Sequence, residues 1–171
     1  MRRVSWFGCF VALALIPSAV ARVTEAHFKT VEAKHFSRVE GVELSPEFSD
    51  YLYAELRTEL GKTKMFDQVI GEGEVVDDAD APQSLIIEGS ITEYKKGSVA
   101  KQKIIGFGAG FRSLRLEATL TRRSDHKTLA APKIHVKAPA TWNEKVLARE
   151  AAKQIAKEIK KQLKEGNSPS S

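Results

Sequence analysis

The sequence predicts an α+β fold, a two-layer sandwich in which a mostly antiparallel sheet of about four to five strands carries two amphipathic helices on one face. Two segments repeat apolar residues every three to four positions, which predicts the helices. The remaining apolar segments are short, and the clearest of them alternates apolar and polar residues, as a half-buried strand does. These strands follow one another at short spacing, which favours a meander.

The first strand is predicted over residues 28–36, with alternate side chains facing the core. The first helix is predicted to begin at Ser45, an N-cap residue type, followed by Pro46 at the first helical position. Gly61 is predicted to end this helix. Its apolar stripe repeats every four residues and consists of Phe48, Leu52, Leu56 and Leu60.

Further strands are predicted at residues 65–70, which form a short apolar segment, and at residues 85–94, where Gly89 indicates a bulge. The alternating strand that follows is the cleanest pattern in the chain. A return strand over residues 129–138 contains Pro132, which indicates an edge or a bulge. The dry face of the alternating strand consists of Leu114, Leu116, Ala118 and Leu120.

The last helix is predicted over residues 144–165, with Asn143 as its cap and Gly166 at its end. One face is apolar and can be buried only against the dry face of the sheet. Its stripe consists of Leu147, Ala151, Ile155 and Ile159.

The N-terminal segment predicts export. Arg2 and Arg3 precede an apolar run over residues 4–16, and Ala19 and Ala21 then supply the small residues of a cleavage site. The run is too short to span a bilayer as a helix. We expect a signal peptide over residues 1–21 with cleavage after Ala21, and an uncleaved N-terminal anchor is the alternative.

The exported chain is predicted to be a single α+β domain over residues 22–166 with a disordered tail at residues 167–171. Cys9 lies inside the apolar run and not at its end, so the sequence does not predict a lipoprotein. Cleavage would leave a chain without cysteine, and therefore without disulfides or thiolate sites. It would also leave 25 basic and 22 acidic residues, a net charge of +3 that is too mild to indicate a nucleic-acid partner.

Residues 101–111, the glycine segment, are the most distinctive stretch: its glycines fall on one face of an extended chain and its apolar residues on the other. A strand and not a helix follows, which argues against a phosphate-binding loop. Two interpretations remain, a curved strand packed under a helix or an exposed interaction surface. The candidate surface residues are Lys101, Lys103, Gly106, Phe107, Gly108 and Gly110.

This glycine motif, the alternating strand and the turn that follows it resemble a bacterial domain-of-unknown-function family, number 4410. The resemblance extends upstream and covers roughly residues 27–137. It implies a small envelope protein with this order of elements, and it implies no chemistry. The sequence departs from the family pattern in lacking a lipoprotein cysteine, and in having Arg122 to Lys127 where the family turn usually reads Asp-x-x-Thr-Gly.

The last helix carries a second candidate surface, a row of basic residues spaced four apart that we call the basic row. A solvated helix face is the plain interpretation, and contact with an anionic lipid surface, a cell-wall polymer or an acidic partner is the functional one. The basic row consists of Arg149, Lys153, Lys157 and Lys161.

No known catalytic motif is present, the four histidines lack metal-ligand spacing, and the acidic stretch over residues 71–80 lacks the ligand order of a calcium loop. We therefore expect no cofactor, no metal and no enzymatic activity. The sequence favours an exported envelope protein that binds another macromolecule or assembles with itself. The alternatives are a small-molecule binder or hydrolase with a pocket over the glycine segment, and a peripheral membrane binder that uses the last helix.

Overall fold

The computed structural model describes residues 27–100 and 110–166. The predicted signal peptide, the predicted tail and most of the glycine segment lie outside these residues. The strands are β1 (Phe28–Ala33), β2 (Ser37–Arg38), β3 (Phe66–Ile70), β4 (Ser84–Lys95), β5 (Arg112–Arg122), β6 (Thr128–Ala130) and β7 (Lys133–Ala138); the helices are α1 (Glu47–Lys62), a 3-10 helix (Asp78–Gln83) and α2 (Glu144–Gly166).

The α+β class is confirmed, but the sheet is larger and less uniform than predicted. Its seven strands form the order β3-β1-β4-β5-β6, with β2 beside β4 and β7 beside β5. The β3-β1-β4 part is parallel, and only β4, β5, β6 and β7 are antiparallel. The prediction of a mostly antiparallel meander of four to five strands is therefore wrong in its first half.

The parallel half follows from the connections between strands. Helix α1 joins β1 to β3, and parallel neighbours need such a crossover of a dozen or more residues. The long connection from β3 to β4 is a second crossover, which returns the chain to the other side of β1. The connections from β4 to β5 and from β5 to β6 reverse direction, and β7 continues in the direction of β6 along β5, so the antiparallel pairs lie in this part of the sheet.

The two helices pack beside each other on one face of the sheet, as predicted. Both predicted stripes are buried, and they meet the dry faces of β4, β5 and β7 in one apolar core. Fully burying one leucine side chain stabilises the fold by about 1.5–3 kcal/mol. The four stripe leucines Leu52, Leu56, Leu60 and Leu147 are all at most 1% exposed, so they anchor both helices to the sheet.

The ends of the helices only partly follow the sequence signals. Asn143 accepts a hydrogen bond from the Val146 amide at 2.9 Å, which confirms the predicted cap of α2. Ser45 does not cap α1, because its hydroxyl donates to the carboxylate of Glu144 in the first turn of α2. Gly61 does not end α1 either, since the left-handed residue after the helix is Lys64, with φ of 55°.

The predicted return strand is interrupted around Pro132, which separates β6 from β7. The amide of Ala118 donates to the carbonyl of Pro132 at 3.0 Å, so β5 stays bonded across the break. The predicted bulge at Gly89 is wrong in position, because the irregular pairing of β4 with β5 lies between Ile91 and Glu93.

The 3-10 helix in the connection from β3 to β4 contacts β1, β4 and β5. Glu32 of β1 is buried beneath this connection, with 7% of its side chain exposed. Its carboxylate accepts hydrogen bonds from the Arg123 guanidinium and from the Gly73 amide, the latter at 3.0 Å. This buried pair fastens the connection to the sheet.

Candidate functional site

The basic row lies on the exposed side of α2, but its four members are not equivalent. Arg149 is held by α1, because its Nε and Nη2 atoms both donate to Glu55 Oε1 at 3.2 Å. This hydrogen bond and the nearby carboxylate charge raise the pKa of Arg149. Within residues 27–100 and 110–166, Lys153, Lys157 and Lys161 have no hydrogen-bond or ion-pair partner. The free part of the predicted surface is therefore these three lysines.

Two of these lysines line a groove of about 410 Å³ between α2 and β7, which we call the α2–β7 groove. Lys153 and Lys157 stand on the helix side, and the buried Ile134 lies in the strand on the other side. Lys133 lies beside Ile134 and pairs with Glu117 at 2.9 Å. The lining also includes Glu150 and Glu158, so the groove combines one apolar residue with carboxylates and with the two unpaired lysines.

The groove follows an edge of the sheet. Among the described strands, β7 pairs with β5 alone, so its other side has no strand neighbour there. The outward side chains of β7 are Lys133, His135 and Lys137, all exposed. Lysines on an edge strand disfavour indiscriminate pairing with other strands. An occupant with negative charge can pair with the lysines of this edge that have no partner among the described residues.

The stretch over residues 71–80, which we call the acidic loop, is more ordered than the sequence indicated. The Glu72 carboxylate lies 2.8 Å from His35 Nδ1, and the His35 ring stacks on Tyr53 with the ring centroids 3.9 Å apart. Hydrogen bonds from His35 lower the pKa of Glu72. The Tyr53 hydroxyl accepts a hydrogen bond from the Glu72 amide at 3.1 Å, and Glu74 accepts one from the Gly71 amide at 2.7 Å.

Beyond these anchors the acidic loop projects into solvent. Val75 is 96% exposed, the most exposed large apolar side chain among the described residues. The Asp78 carboxylate has no hydrogen-bond or ion-pair partner within the described part of the chain, and the Asp77 carboxylate accepts only from the Ala79 amide, at 3.1 Å. The sequence pattern of this stretch is that of a solvated loop. The one sequence feature that points to an exposed apolar side chain is the pair Val75 and Val76, which lies between acidic residues.

The chain contacts itself on the two sides of the glycine segment, between β4 and β5. The Ser98 amide donates to the Gly110 carbonyl at 2.8 Å. A Cβ atom on Gly97 would lie 2.6 Å from that carbonyl oxygen and 2.8 Å from the Arg112 amide nitrogen, so the two chain ends touch backbone to backbone. Gly110 has φ of 82°, so the prediction that it lies on an extended face is wrong.

Most of the predicted surface on this segment cannot be placed, because it lies outside the described residues. Of the candidate surface residues on this segment, only Gly110 is described. Val99, two residues before the segment, is 43% exposed, and Phe111, its last residue, is 40% exposed. The residues outside the described range are Lys101, Lys103, Gly106, Phe107 and Gly108.

In residues 27–100 and 110–166, no group of three or more histidine, cysteine, aspartate or glutamate side chains is arranged to hold a metal ion. No helix described there has both the length and the hydropathy needed to cross a membrane. His27 and His135 belong to parts of the sheet separated by β4 and β5, so the histidines do not converge.

The fold and its surface define an α+β two-layer protein with a mixed sheet, a basic groove along one edge and a projecting acidic loop. The chain belongs to the family described as Domain of unknown function (DUF4410), whose model matches residues 37–140. The resemblance that the glycine motif indicated is thereby confirmed. No curated protein matches the sequence.

Two solved structures share the fold. The PelC dodecamer from Paraburkholderia phytofirmans is 8% identical, with a TM-score of 0.57 over 81% of this chain and 91% of that chain. The protein XCC0632 from Xanthomonas campestris is 12% identical, with a TM-score of 0.50 over 88% of this chain and 89% of that chain. At these identities the similarity establishes the architecture alone.

Proposed function

We propose that this protein is an exported, non-catalytic envelope protein that assembles with itself, the acidic loop of one copy binding in the α2–β7 groove of the next. One observation carries the proposal: two lysines of the groove and two aspartates of the loop have opposite charge, and none of the four makes an ion pair within the described chain. Lys153 and Lys157 line the groove, while Asp77 and Asp78 stand on the loop without an ion pair. Complementary charge of this kind gives register and specificity to an interface.

The loop also supplies an apolar anchor. Val75 is almost fully exposed, and leaving a valine in water forgoes about 1.5 kcal/mol or more of burial free energy. The groove offers Ile134 between its lysines. An exposed valine beside free aspartates therefore matches a groove in which Ile134 lies near two free lysines.

Charge also decides the symmetry of the proposed contact. If β7 paired antiparallel with β7 of a second copy around His135, Lys133 would lie opposite Lys137 of that copy, and like charges directly opposite are destabilising. A head-to-tail contact between two different surfaces avoids this repulsion and generates a ring when the rotation closes. The similarly folded PelC is a dodecamer, which supports the feasibility of such an arrangement.

Export is the second part of the proposal. It rests on the N-terminal basic start, the apolar run and the Ala19-x-Ala21 site. It also rests on the resemblance of this chain to a family of small envelope proteins. An exported chain without cysteine must gain stability from its core and its contacts and not from disulfides, and assembly supplies such contacts.

The proposed contact predicts that Val75→Ser weakens assembly without weakening the fold. Val75 contacts little within one copy, so the thermal unfolding midpoint should stay unchanged, while the dissociation constant of the oligomer rises about tenfold through lost burial in the groove. The paired change Lys153→Glu with Lys157→Glu should weaken assembly at least as much. Sedimentation velocity over a concentration series measures both effects.

Two controls fit the same experiment. Val39→Ser alters another exposed valine, and Lys145→Glu reverses an exposed lysine of α2 outside the basic row; both should leave assembly unchanged. A wild-type protein that stays monomeric at high micromolar concentration and low salt would refute the proposal. So would an oligomer that is indifferent to Val75→Ser and to the lysine reversals.

Contact with an anionic surface is a second candidate function, favoured by the three basic-row lysines that have no partner among the described residues. It predicts binding to vesicles containing phosphatidylglycerol, weakened by salt and by the Lys153→Glu, Lys157→Glu change. Val75→Ser should not affect vesicle binding, which separates the two candidates. Equal binding to phosphatidylcholine vesicles, or none to either, would exclude this second function.

A further inference from the structure

A cleft of about 720 Å³ opens where the sheet extends past the N-terminus of α2. Its sheet side is formed by Tyr94 and Lys96 at the end of β4 and by Arg112 at the start of β5. The opposite side is formed by the chain ahead of α1 and by the first turn of α2, which contribute Glu43, Leu44, Ser45 and Glu144. The cleft is separate from the α2–β7 groove and from the acidic loop.

Arg112 is the most informative residue of this cleft. Its Nε atom is buried and has no hydrogen-bond acceptor, and its guanidinium makes no hydrogen bond or ion pair with any residue in the described part of the chain. A buried donor without an acceptor costs about 1–3 kcal/mol, so such groups are rare in native proteins. An acceptor supplied from outside the described chain would remove this cost.

The backbone around Arg112 is held firmly. Arg112 pairs with Ala138 of β7, and the Gly97 backbone packs directly against the Arg112 amide. Because Leu114, two residues further along β5, is fully buried on the helix side, Arg112 lies on that same face. The guanidinium is therefore presented by rigid sheet and not by a mobile loop.

Tyr94 stands beside it on the neighbouring strand. Tyr94 is opposite Leu114 in the β4–β5 pairing, its ring packs against the core, and its hydroxyl has no hydrogen-bond partner among the described residues. Burial raises the pKa of Tyr94, so the phenol is a neutral donor at physiological pH. Tyr94 and Arg112 together place hydrogen-bond donors that have no acceptor among the described residues on one side of the cleft.

The opposite side has the opposite charge. The Ser45 hydroxyl donates to one oxygen of Glu144, which fixes that carboxylate at the start of α2, and Glu43 lies nearby in the same lining. Glu144 and Arg112 both influence Tyr94 electrostatically, yet no ion pair joins them in the described structure. The cleft thus keeps cations and carboxylates apart across an open space.

We propose that this cleft binds a small zwitterion, an amino acid or short peptide, whose carboxylate is held by Arg112 and Tyr94 and whose ammonium group is held by Glu144 and Glu43. A guanidinium binds a carboxylate through two parallel hydrogen bonds. A phosphate or a dicarboxylate would be attracted by Arg112 and Lys96 but repelled by the two glutamates, which then gain no partner. Leu44 and the Tyr94 ring offer apolar contact for a small side chain.

The test is titration of the purified protein with four probes, followed by amide chemical shifts and calorimetry. The probes are alanyl-alanine, its N-acetyl form, its C-terminal amide and inorganic phosphate. We expect alanyl-alanine to bind best, and both capped forms to bind about tenfold or more weakly, because each loses one charge-assisted contact. Arg112→Gln should reduce alanyl-alanine binding by a similar factor.

Matched variants separate the two ends of the ligand. Glu144→Gln retains an acceptor for Ser45 and removes only the charge, so it should weaken alanyl-alanine and leave the N-acetyl form unchanged. Arg115→Gln alters an exposed arginine of the same strand on the opposite face and should change nothing. Tyr94→Phe removes only a hydroxyl that has no partner among the described residues. This variant replaces Arg112→Gln in the test of carboxylate binding if Arg112→Gln does not fold.

Several outcomes would overturn the inference. One is that no amide chemical shift of a cleft residue changes with tens of millimolar alanyl-alanine. Another is that the C-terminal amide binds as tightly as alanyl-alanine. A third is that the affinity for alanyl-alanine is unchanged in Arg112→Gln or, if that variant does not fold, in Tyr94→Phe. Phosphate binding tighter than alanyl-alanine would show a simple anion site and would also refute the zwitterion. None of these results depends on whether the protein assembles, since the cleft and the α2–β7 groove share no residue.

Discussion

Replacing Gly89 with alanine is expected to destabilise the protein by about 3 kcal/mol. A Cβ atom at this position would lie 2.3 Å from the carbonyl oxygen of Glu117 on β5 and 2.5 Å from the Phe36 ring. The ring could turn aside, but the carbonyl belongs to the backbone of the paired strand. Relief therefore requires β4 and β5 to separate at the centre of the sheet, where most of the core is attached.

Urea denaturation followed by circular dichroism measures this change. Gly61→Ala is the matched control, because a Cβ atom there meets nothing within 4 Å and the residue lies inside α1. That substitution should stabilise the protein by about 0.5–1 kcal/mol, through lower chain entropy in the unfolded state and better helix propensity. If both glycine variants unfold at the same denaturant concentration, the close packing of β4, β5 and Phe36 described here is wrong.

Replacing Glu32 with alanine is expected to cost about 2–3 kcal/mol. The substitution removes the acceptor of the Arg123 guanidinium and of the Gly73 amide, and it leaves both donors without this partner where the connection from β3 to β4 packs on the sheet. Arg123 is partly exposed and can recover some hydration, which keeps the expected cost below that of a fully buried charge.

The control for this prediction is Glu32→Gln. The amide oxygen still accepts from Gly73 or Arg123, so the loss should be less than half of that for alanine. Hydrogen exchange gives a second measurement, since Glu32→Ala should speed exchange in the acidic loop while the amides of α1 and α2 respond only to the global change in stability. If loop exchange stays as slow as in the wild type, Glu32 does not fasten the loop.

These two predictions bear on the proposed assembly in different ways. Gly89→Ala changes the packing within the sheet, so it should reduce assembly only to the extent that it unfolds the protein. Glu32 holds Gly73 close to Val75 and the free aspartates. Because a pre-ordered segment loses less entropy on binding, Glu32→Ala should weaken assembly beyond its effect on stability.

Much of the fold follows from local patterns. The stripes at Phe48 to Leu60 and at Leu147 to Ile159 identified both helices and the face each buries, and the alternation at residues 114–120 identified β5. The glycine motif pointed to the family that the match over residues 37–140 confirms. These signals are local because helix and strand periodicities are set by the backbone geometry of a few neighbouring residues.

The parallel half of the sheet was missed, although one sequence feature could have indicated it. A helix between two strands allows them to be parallel neighbours, whereas the meander interpretation treated all strands as hairpin partners. The ends of α1 were missed for a different reason. Ser45 has the side chain of a cap, but Glu144, which is 99 residues away, takes its hydroxyl.

By itself the sequence determined the helices, the apolar faces and the family, because each depends on periodicity or on a contiguous motif. Only the tertiary structure decided which charges stay unpaired: it removed Arg149 from the basic row through Glu55, placed Lys153 and Lys157 beside an edge strand, and left Arg112 without an acceptor among the described residues. The physical reason is that pairing of charges depends on distances between residues far apart in the chain, and such distances are fixed only when the sheet order and the helix packing are fixed.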